Sequence, residues 1–172
     1  YAYLQGLTKH KEMKFLTGAG DIRASVYDNI VETELTPPII HKKNIVRFDK
    51  DWWLIDTGVP HLITYLNDIS SFDIQEAREL RNEFNANVNI AKITDNGNIE
   101  IRTYERGVEG ETMACGTGMA SAFYRAYKET KIKNNIEVYP KSNETLYLRM
   151  ENETIFFKGN VKKIYETNTT SS

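Results

Sequence analysis

The sequence predicts a mixed α/β (α+β) half-barrel, mostly antiparallel strands wrapped around a central helix. Three observations carry that expectation. Apolar and polar residues alternate with a period of two through much of the chain, turn signals recur at short intervals, and only two segments show helical spacing. With 172 residues the chain allows one domain or two small ones. Its 40% hydrophobic and 11% aromatic content is enough to bury a core, which excludes wholesale disorder.

The elements follow in order. Tyr1-Ala2-Tyr3-Leu4-Gln5-Gly6-Leu7 reads as the last turns of an apolar helix stopped at Gly6, so the numbering is expected to open inside a folded element. Ile22, Ala24 and Val26 alternate with polar neighbours, and Asp28-Asn29 separates them from Ile30–Leu35, which predicts a hairpin. Pro37-Pro38 ends it, since proline donates nothing to a ladder. A second hairpin is predicted from Ile45–Phe48 and Trp52–Ile55 around Asp49-Lys50-Asp51. The strongest joins Val88–Thr94 to Asn98–Tyr104 through Asp95-Asn96-Gly97, where Asn-Gly supplies the positive φ of a tight turn. Later strands are predicted at Ile136–Tyr139, Thr145–Met150 and Thr154–Lys158, with a frayed Ser/Thr-rich tail from Thr167. The first helix runs Ile74–Phe84, capped by Asp73 with Glu76 at the capping-box position and Ile74, Ala77, Leu80 and Phe84 as its apolar stripe. The second follows Cys115-Gly116-Thr117-Gly118, with Met119, Ala122, Phe123, Ala126 and Tyr127 at helical spacing.

Composition narrows the function. A net charge of −2 speaks against a nucleic-acid binder. No apolar run approaches the ~18 residues of a membrane helix, so a soluble protein with no membrane partner is expected. A single cysteine forms no internal disulfide and points to a reducing, cytoplasmic setting. No group of side chains has metal-ligand spacing, no Gly-rich segment resembles a phosphate loop, and no lysine suggests a Schiff-base cofactor, so no metal and no cofactor are expected.

The chemistry-bearing candidates each have two readings. Cys115 stands beside two glycines at a helix N-terminus, where unpaired N–H groups and the helix dipole favour an anion. Such a thiol has its pKa lowered from ~8.5 into the working range; equally, it is an inert, buried small hydrophobe. In Tyr104-Glu105-Arg106-Gly107, Arg106 can grip a carboxylate and Glu105 can receive an ammonium group or orient a base, or the two form an ordinary surface ion pair. His61, after the Gly58-Val59-Pro60 turn, is catalytic or a satisfied structural residue. His10 and His41 read as exposed. Asn89, in Asn85-Ala86-Asn87-Val88-Asn89, can donate to a substrate carboxylate or simply hold a loop.

Together and in this order the segments resemble the diaminopimelate epimerase family. The resemblance rests on Thr17-Gly18-Ala19-Gly20, Gly58-Val59-Pro60-His61, Asn87-Val88-Asn89, Arg102-Thr103-Tyr104-Glu105-Arg106-Gly107 and Glu111–Gly118, the last two being highly specific. It runs along nearly the whole chain. It implies a two-lobed fold shared with the proline racemases, each lobe mostly antiparallel strands around a central helix. It also implies a cofactor-independent, homodimeric isomerase that interconverts LL- and meso-2,6-diaminopimelate in lysine and peptidoglycan synthesis with two thiols. Position by position it makes Cys115 the acid/base thiol of the second lobe, with His61 and Glu105 tuning the reacting centre. Glu105 and Arg106 would contact substrate, Asn89 would hold its distal end, and the backbone of Gly116 and Thr117 would bind the α-carboxylate. Tyr165, in a returning terminal strand, would be a dimer contact.

Three departures qualify it. Val59 stands where many members have a substrate-contacting asparagine, and Glu109 lengthens the Gly107–Glu111 loop. The family's other catalytic cysteine, in its own Cys-Gly-Asn-Gly motif, is absent, and is expected just upstream of the helix whose tail is Tyr1–Gly6. The chain therefore reads as a remnant of the first lobe (1–31 with 160–172) and a complete second lobe (32–159), inactive by itself as an epimerase. Rival readings are an amino-acid racemase of the same fold, a thiol hydrolase using Cys115 with His61, and a non-catalytic dimerisation module.

Overall fold

The computed structural model describes residues 2, 3, 5–18, 20–165 and 167. Tyr1, Leu4, the Ala19 of the first matching segment and the tail beyond Thr167 lie outside the described residues. Among the described residues, twelve strands form one continuous sheet: β1 (Glu12–Thr17), β2 (Gly20–Tyr27), β3 (Ile30–Glu34), β4 (Ile39–Arg47), β5 (Lys50–Asp56), β6 (Pro60–Tyr65), β7 (Asn87–Ile93), β8 (Ile99–Glu105), β9 (Gly110–Thr112), β10 (Asn135–Tyr139), β11 (Leu146–Glu151) and β12 (Thr154–Asn160). Helix α1 (Ile74–Phe84) lies between β6 and β7, and α2 (Gly116–Lys128) between β9 and β10. The spatial order is β1-β2-β3-β12-β11-β10-β8-β7-β6-β5-β4, with β9 on β8. Only β6/β7 and β8/β10 are parallel, and each of these pairs is bridged by a helix, as parallel neighbours require.

The helices occupy opposite faces. Because side chains alternate along a strand, Leu62, Val88, Ile90 and Tyr104 pack against Ala77 and Leu80 of α1, while Ile63, Ala91, Ile99 and Ile101 pack against α2. Ala120, Ala122, Phe123 and Ala126 of α2 are fully buried, as are Val138, Leu148 and Ile155 on the strands that curl around it. The small residues at the start of α2 allow that close embrace, as its composition leads one to expect.

Asp73 caps α1 as expected: its Oδ1 accepts from the N–H groups of Gln75 at 2.9 Å and Glu76 at 3.0 Å. Glu76 does not complete a capping box; its carboxylate pairs with Lys50 Nζ at 2.6 Å. Ile74 sits at the exposed margin of the expected stripe. The second hairpin turns at Phe48-Asp49 rather than at Asp49-Lys50-Asp51, with φ of 53° and 57°, so β4 and β5 meet through a two-residue turn that carries no Asn-Gly signal. In the strongest hairpin only Gly97 has positive φ, at 79°. The Gly97 N–H donates to Thr94 O, closing the three-residue connection Asp95-Asn96-Gly97. Three strands carry too little alternation to be foreseen. These are β1, the three-residue β9, and β6, which is buried on both faces and mixes apolar with polar residues without a regular period. Near the start, Gly6 has φ of 68°, its N–H donates to Tyr3 O, and the Leu7 N–H donates to Ala2 O, the paired bonds of a Schellman helix end.

Phe123 fills the centre of the α2 core, whereas Asp73 supplies one cap. Phe123→Ala is expected to lower unfolding free energy by about 3–5 kcal/mol and Asp73→Ala by about 1 kcal/mol, read by chemical denaturation. Equal losses would contradict this division of roles.

Candidate active site

The two-residue alternation that buries Ile63, Ala91, Ile99 and Ile101 under α2 continues along the same strands to polar residues. His61 on β6, Asn87 and Asn89 on β7, and Thr103 and Glu105 on β8 share the α2 face. Their registers are adjacent: His61 lies beside Asn87, Ile63 beside Asn89, and Asn89 opposite Thr103. The apolar stretch covers the body of α2; the polar stretch reaches its N-terminus. Sequence position thereby converts into a cluster around the thiol.

Cys115 is the N-cap residue of α2, with extended φ/ψ of −136° and 109°. The Met119 N–H donates to its carbonyl, closing the first helical turn. Among the described residues no protein acceptor takes the N–H of Gly116 or Thr117, as expected for the first turn of a helix. The Thr117 hydroxyl lies 3.5 Å from Cys115 Sγ. Glu105, held through its Oε1 by the Thr112 hydroxyl at 2.6 Å, places a carboxylate that favours the protonated form of the same sulfur.

The net effect on the thiol differs from the expectation. Burial pushes the Cys115 thiol up, outweighing the Thr117 hydroxyl and the Gly118 N–H, which favour the thiolate; Glu105 adds to the upward push. The helix terminus does stabilise the anion, but desolvation of a mostly buried sulfur wins. At rest the sulfur carries its proton.

His61 is fully buried. Its Nε2 lies 2.9 Å from Thr117 Oγ1 and its Nδ1 3.0 Å from Asn89 Nδ2. Burial lowers its pKa to about 4, with Arg106 adding to the drop and Asp56 opposing it, so the ring is neutral. Its engagement with Thr117 rather than with Sγ is not the Cys–His dyad of a thiol hydrolase. Asn89 is also fully buried. Its Nδ2 donates to Leu62 O at 3.0 Å as well as to His61, and its Oδ1 accepts from the Thr103 hydroxyl at 2.8 Å. With every polar atom committed inside the protein, Asn89 supports His61 and has no group left for the distal end of a substrate. Asn87, which the sequence alone does not single out, lies between Arg106 and His61: its Oδ1 accepts from the Arg106 N–H at 2.8 Å and its Nδ2 is 3.3 Å from His61 Nε2. The first Asn of the Asn-Val-Asn triplet is the available signal.

The remaining candidates fall into place around this centre. Arg106, half-buried, gives one Nη1 bond to Asn85 O at 2.8 Å; it forms no ion pair with Glu105. Glu111 is not at the site: Arg102 grips it in bidentate fashion at 2.6 and 2.9 Å and also binds the carbonyls of Ile69 and Ser70, which pins β9 and the loop leading to Cys115. Glu109, with φ of 56°, closes its longer loop by accepting from the Gly107 N–H at 3.0 Å and pairing with Arg81 at 2.6 Å. Val59 is half-buried in the β5–β6 turn and offers no polar atom. Tyr165 lies beyond the end of β12 rather than in a strand, and is 79% exposed.

Residues 53–164 match the profile of the diaminopimelate epimerase family. The chain belongs to that family. It is 55% identical over 167 residues to the diaminopimelate epimerase of a Nitratiruptor species, covering 97% of this chain and 66% of that protein. It is 50% identical over 160 residues to that of Campylobacter lari, covering 93% and 64%. The chain thus spans just under two thirds of the length of these curated relatives. A probable proline racemase from Agrobacterium radiobacter, solved with bound carbonate, superposes with a TM-score of 0.73 at 16% identity over 92% of this chain and 62% of that one, and so shares the fold. Among the described residues no group of His, Cys, Asp and Glu could hold a metal ion, and no helix is long and apolar enough to cross a membrane.

The two glycines of the epimerase-family motif at α2 differ in purpose. A Cβ on Gly118 would stand 2.5 Å from Asn89 Oδ1 and 3.2 Å from the His61 ring, while one on Gly116 would meet nothing nearer than Phe157 at 3.9 Å. Gly118→Ala is expected to cost about 1–3 kcal/mol and Gly116→Ala to leave stability nearly unchanged, by thermal or denaturant unfolding; a tolerated Gly118→Ala would refute the contact. His61 gives a pH signature. Between its native pKa of about 4 and the unfolded value of 6.5, the unfolded chain binds a proton that the native state refuses. Stability is therefore complete above pH 6.5 and falls by roughly 3 kcal/mol as pH drops to 4. In His61→Gln that part of the stability–pH profile is expected to flatten.

Proposed function

We propose that this chain supplies one face of a diaminopimelate epimerase site, with Cys115 as its proton carrier. The observation that carries the reading is the placement of Cys115 as the N-cap of α2, next to the unengaged N–H groups of Gly116 and Thr117. An α-carboxylate docked on those N–H groups would bring its α-carbon to the sulfur. The same donors would stabilise negative charge as it spreads from the α-carbon into the carboxylate.

Inversion at carbon needs a base on one face and an acid on the other. In one direction the Cys115 thiol gives its proton to the carbanion and becomes a thiolate; in the other the thiolate takes the α-proton. Desolvation, which holds Cys115 protonated, suits it to the donor role at rest, and the Glu105 carboxylate acts in the same sense. The opposite face calls for a second thiol, and the sequence contains one cysteine. No cofactor is invoked, because the helix terminus and exclusion of water supply the stabilisation.

The substrate reading is 2,6-diaminopimelate, with Glu105 and Arg106 facing its polar groups. We assign residues 1–31 with 160–172 to the remnant of a first lobe and 32–159 to the second. The division runs through the β3–β12 ladder, where Val31 pairs with Gly159 and Glu32 with Lys158. A homodimer with Tyr165 at its contact and a cytoplasmic location complete the reading; the neighbouring exposed Val161 and Ile164 favour an apolar partner there.

One thiol cannot invert a stereocentre. The 172-residue polypeptide is expected to give no interconversion of LL- and meso-2,6-diaminopimelate by chiral chromatography. Conversion above the buffer control, abolished in Cys115→Ala, would overturn the two-thiol reading.

A further inference from the structure

Two asparagine amides point at the two nitrogens of the buried, neutral His61 ring, and a neutral imidazole accepts at one nitrogen only. Which nitrogen yields is decided by what fixes each amide. Asn89 cannot be turned: Leu62 O is a carbonyl and only accepts, so the atom 3.0 Å from it is Nδ2, and the Thr103 hydroxyl satisfies Oδ1 at 2.8 Å. The remaining Nδ2 hydrogen of Asn89 is directed at His61 Nδ1 at 3.0 Å. Asn87 is also fixed, its Oδ1 accepting from the Arg106 N–H at 2.8 Å, but its Nδ2 stands farther from the ring, 3.3 Å from Nε2. Nδ1 is therefore the bare nitrogen and Nε2 bears the hydrogen, which it donates to Thr117 Oγ1 at 2.9 Å. With its oxygen accepting from the ring, the Thr117 hydroxyl has its own hydrogen free for Cys115 Sγ, 3.5 Å away.

We propose that Asn89 and Thr103 are positioning residues that lock His61 as the Nε2–H tautomer, so that Thr117 relays this choice into a hydrogen bond donated to the Cys115 sulfur. The donation favours the thiolate and counters the burial and the Glu105 carboxylate that favour the thiol. The groups facing the relay are Asp56 and Arg106 on the His61 side and Glu105 on the sulfur side. With Nδ1 protonated instead, Nε2 would draw the Thr117 hydrogen to itself and the sulfur would lose its donor. The catalytic consequence rests on the reading of Cys115 as a proton carrier. The hydrogen positions do not, and they are measured without substrate.

The test uses the whole 172-residue chain, which has one cysteine and three histidines. Long-range 1H–15N NMR of the unmodified chain, with the His61 signals identified by their loss in His61→Gln, is expected to show hydrogen on Nε2 and a bare Nδ1. Hydrogen on Nδ1, or on both nitrogens at neutral pH, would overturn the proposal. Thr117→Val is expected to leave the His61 tautomer unchanged and to raise the midpoint of the pH–rate profile for Cys115 alkylation by roughly half to one pH unit. Thr117→Ser is expected to restore it. Asn89→Asp, whose carboxylate accepts from Nδ1–H, is expected to move the hydrogen to Nδ1 and raise the same midpoint. An unmoved midpoint in Thr117→Val would refute the relay, whereas failure of the epimerase reading would leave all of these results intact.

Discussion

Gly118 is the point at which the strands and α2 meet, because the space its side chain would fill is taken by Asn89 and the His61 ring. That absence of a Cβ lets two buried polar side chains lie directly on the first turn of the helix. It fixes the height of the turn against the sheet, and with it the position of the Cys115 sulfur, the Thr117 hydroxyl and the Gly116 and Thr117 N–H groups. The nearly side-chain-free contact is an economical way to hold a reactive group, since it depends on backbone rather than on rotamers.

The rest of the architecture serves the same end. Three central strands, β6 to β8, present apolar side chains to the body of α2 and polar ones to its N-terminus, without any change in their two-residue alternation. Buried polar groups of this kind are tolerable because they satisfy one another: Asn89 bonds Leu62, His61 and Thr103, and Thr57 bonds both the Thr117 carbonyl and Ser121. Desolvation has opposite consequences for the two titratable members. It keeps His61 neutral and Cys115 protonated, so neither titratable member carries charge at rest. Local charge at the sulfur then arises only when a proton moves.

Much of this was legible in the sequence. Asp73 and the Ile74–Phe84 stripe located α1, and Cys-Gly-Thr-Gly followed by Met119, Ala122 and Phe123 located α2. The alternation around Val88–Tyr104 located the central hairpin. The illegible parts have physical reasons. Strand β6 is buried on both faces, so its polarity does not follow the alternation of its side chains, and the Phe48-Asp49 turn adopts left-handed backbone without a glycine or asparagine to advertise it. Among the site residues, His61 and Cys115 meet at the Thr117 hydroxyl. The division of labour within Asn87-Val88-Asn89 was hidden, because either asparagine is chemically able to hold a ligand. Only the third dimension shows Asn89 sealed beneath Gly118. The direction of the Cys115 shift was hidden for the same reason: spacing reveals a helix terminus but not how much water is left around the sulfur.

The central claim is that an α-carboxylate docks on the open N-terminus of α2 beside the thiol. The direct measurement is backbone-amide NMR of the 15N-labelled chain titrated with 2,6-diaminopimelate and, separately, with 1,5-diaminopentane, the same skeleton without carboxylates. The expected result is that Gly116 and Thr117 amides show the largest shifts with the diacid and none with the diamine. Equal responses to the two compounds, or shifts centred away from the first turn of α2, would contradict it.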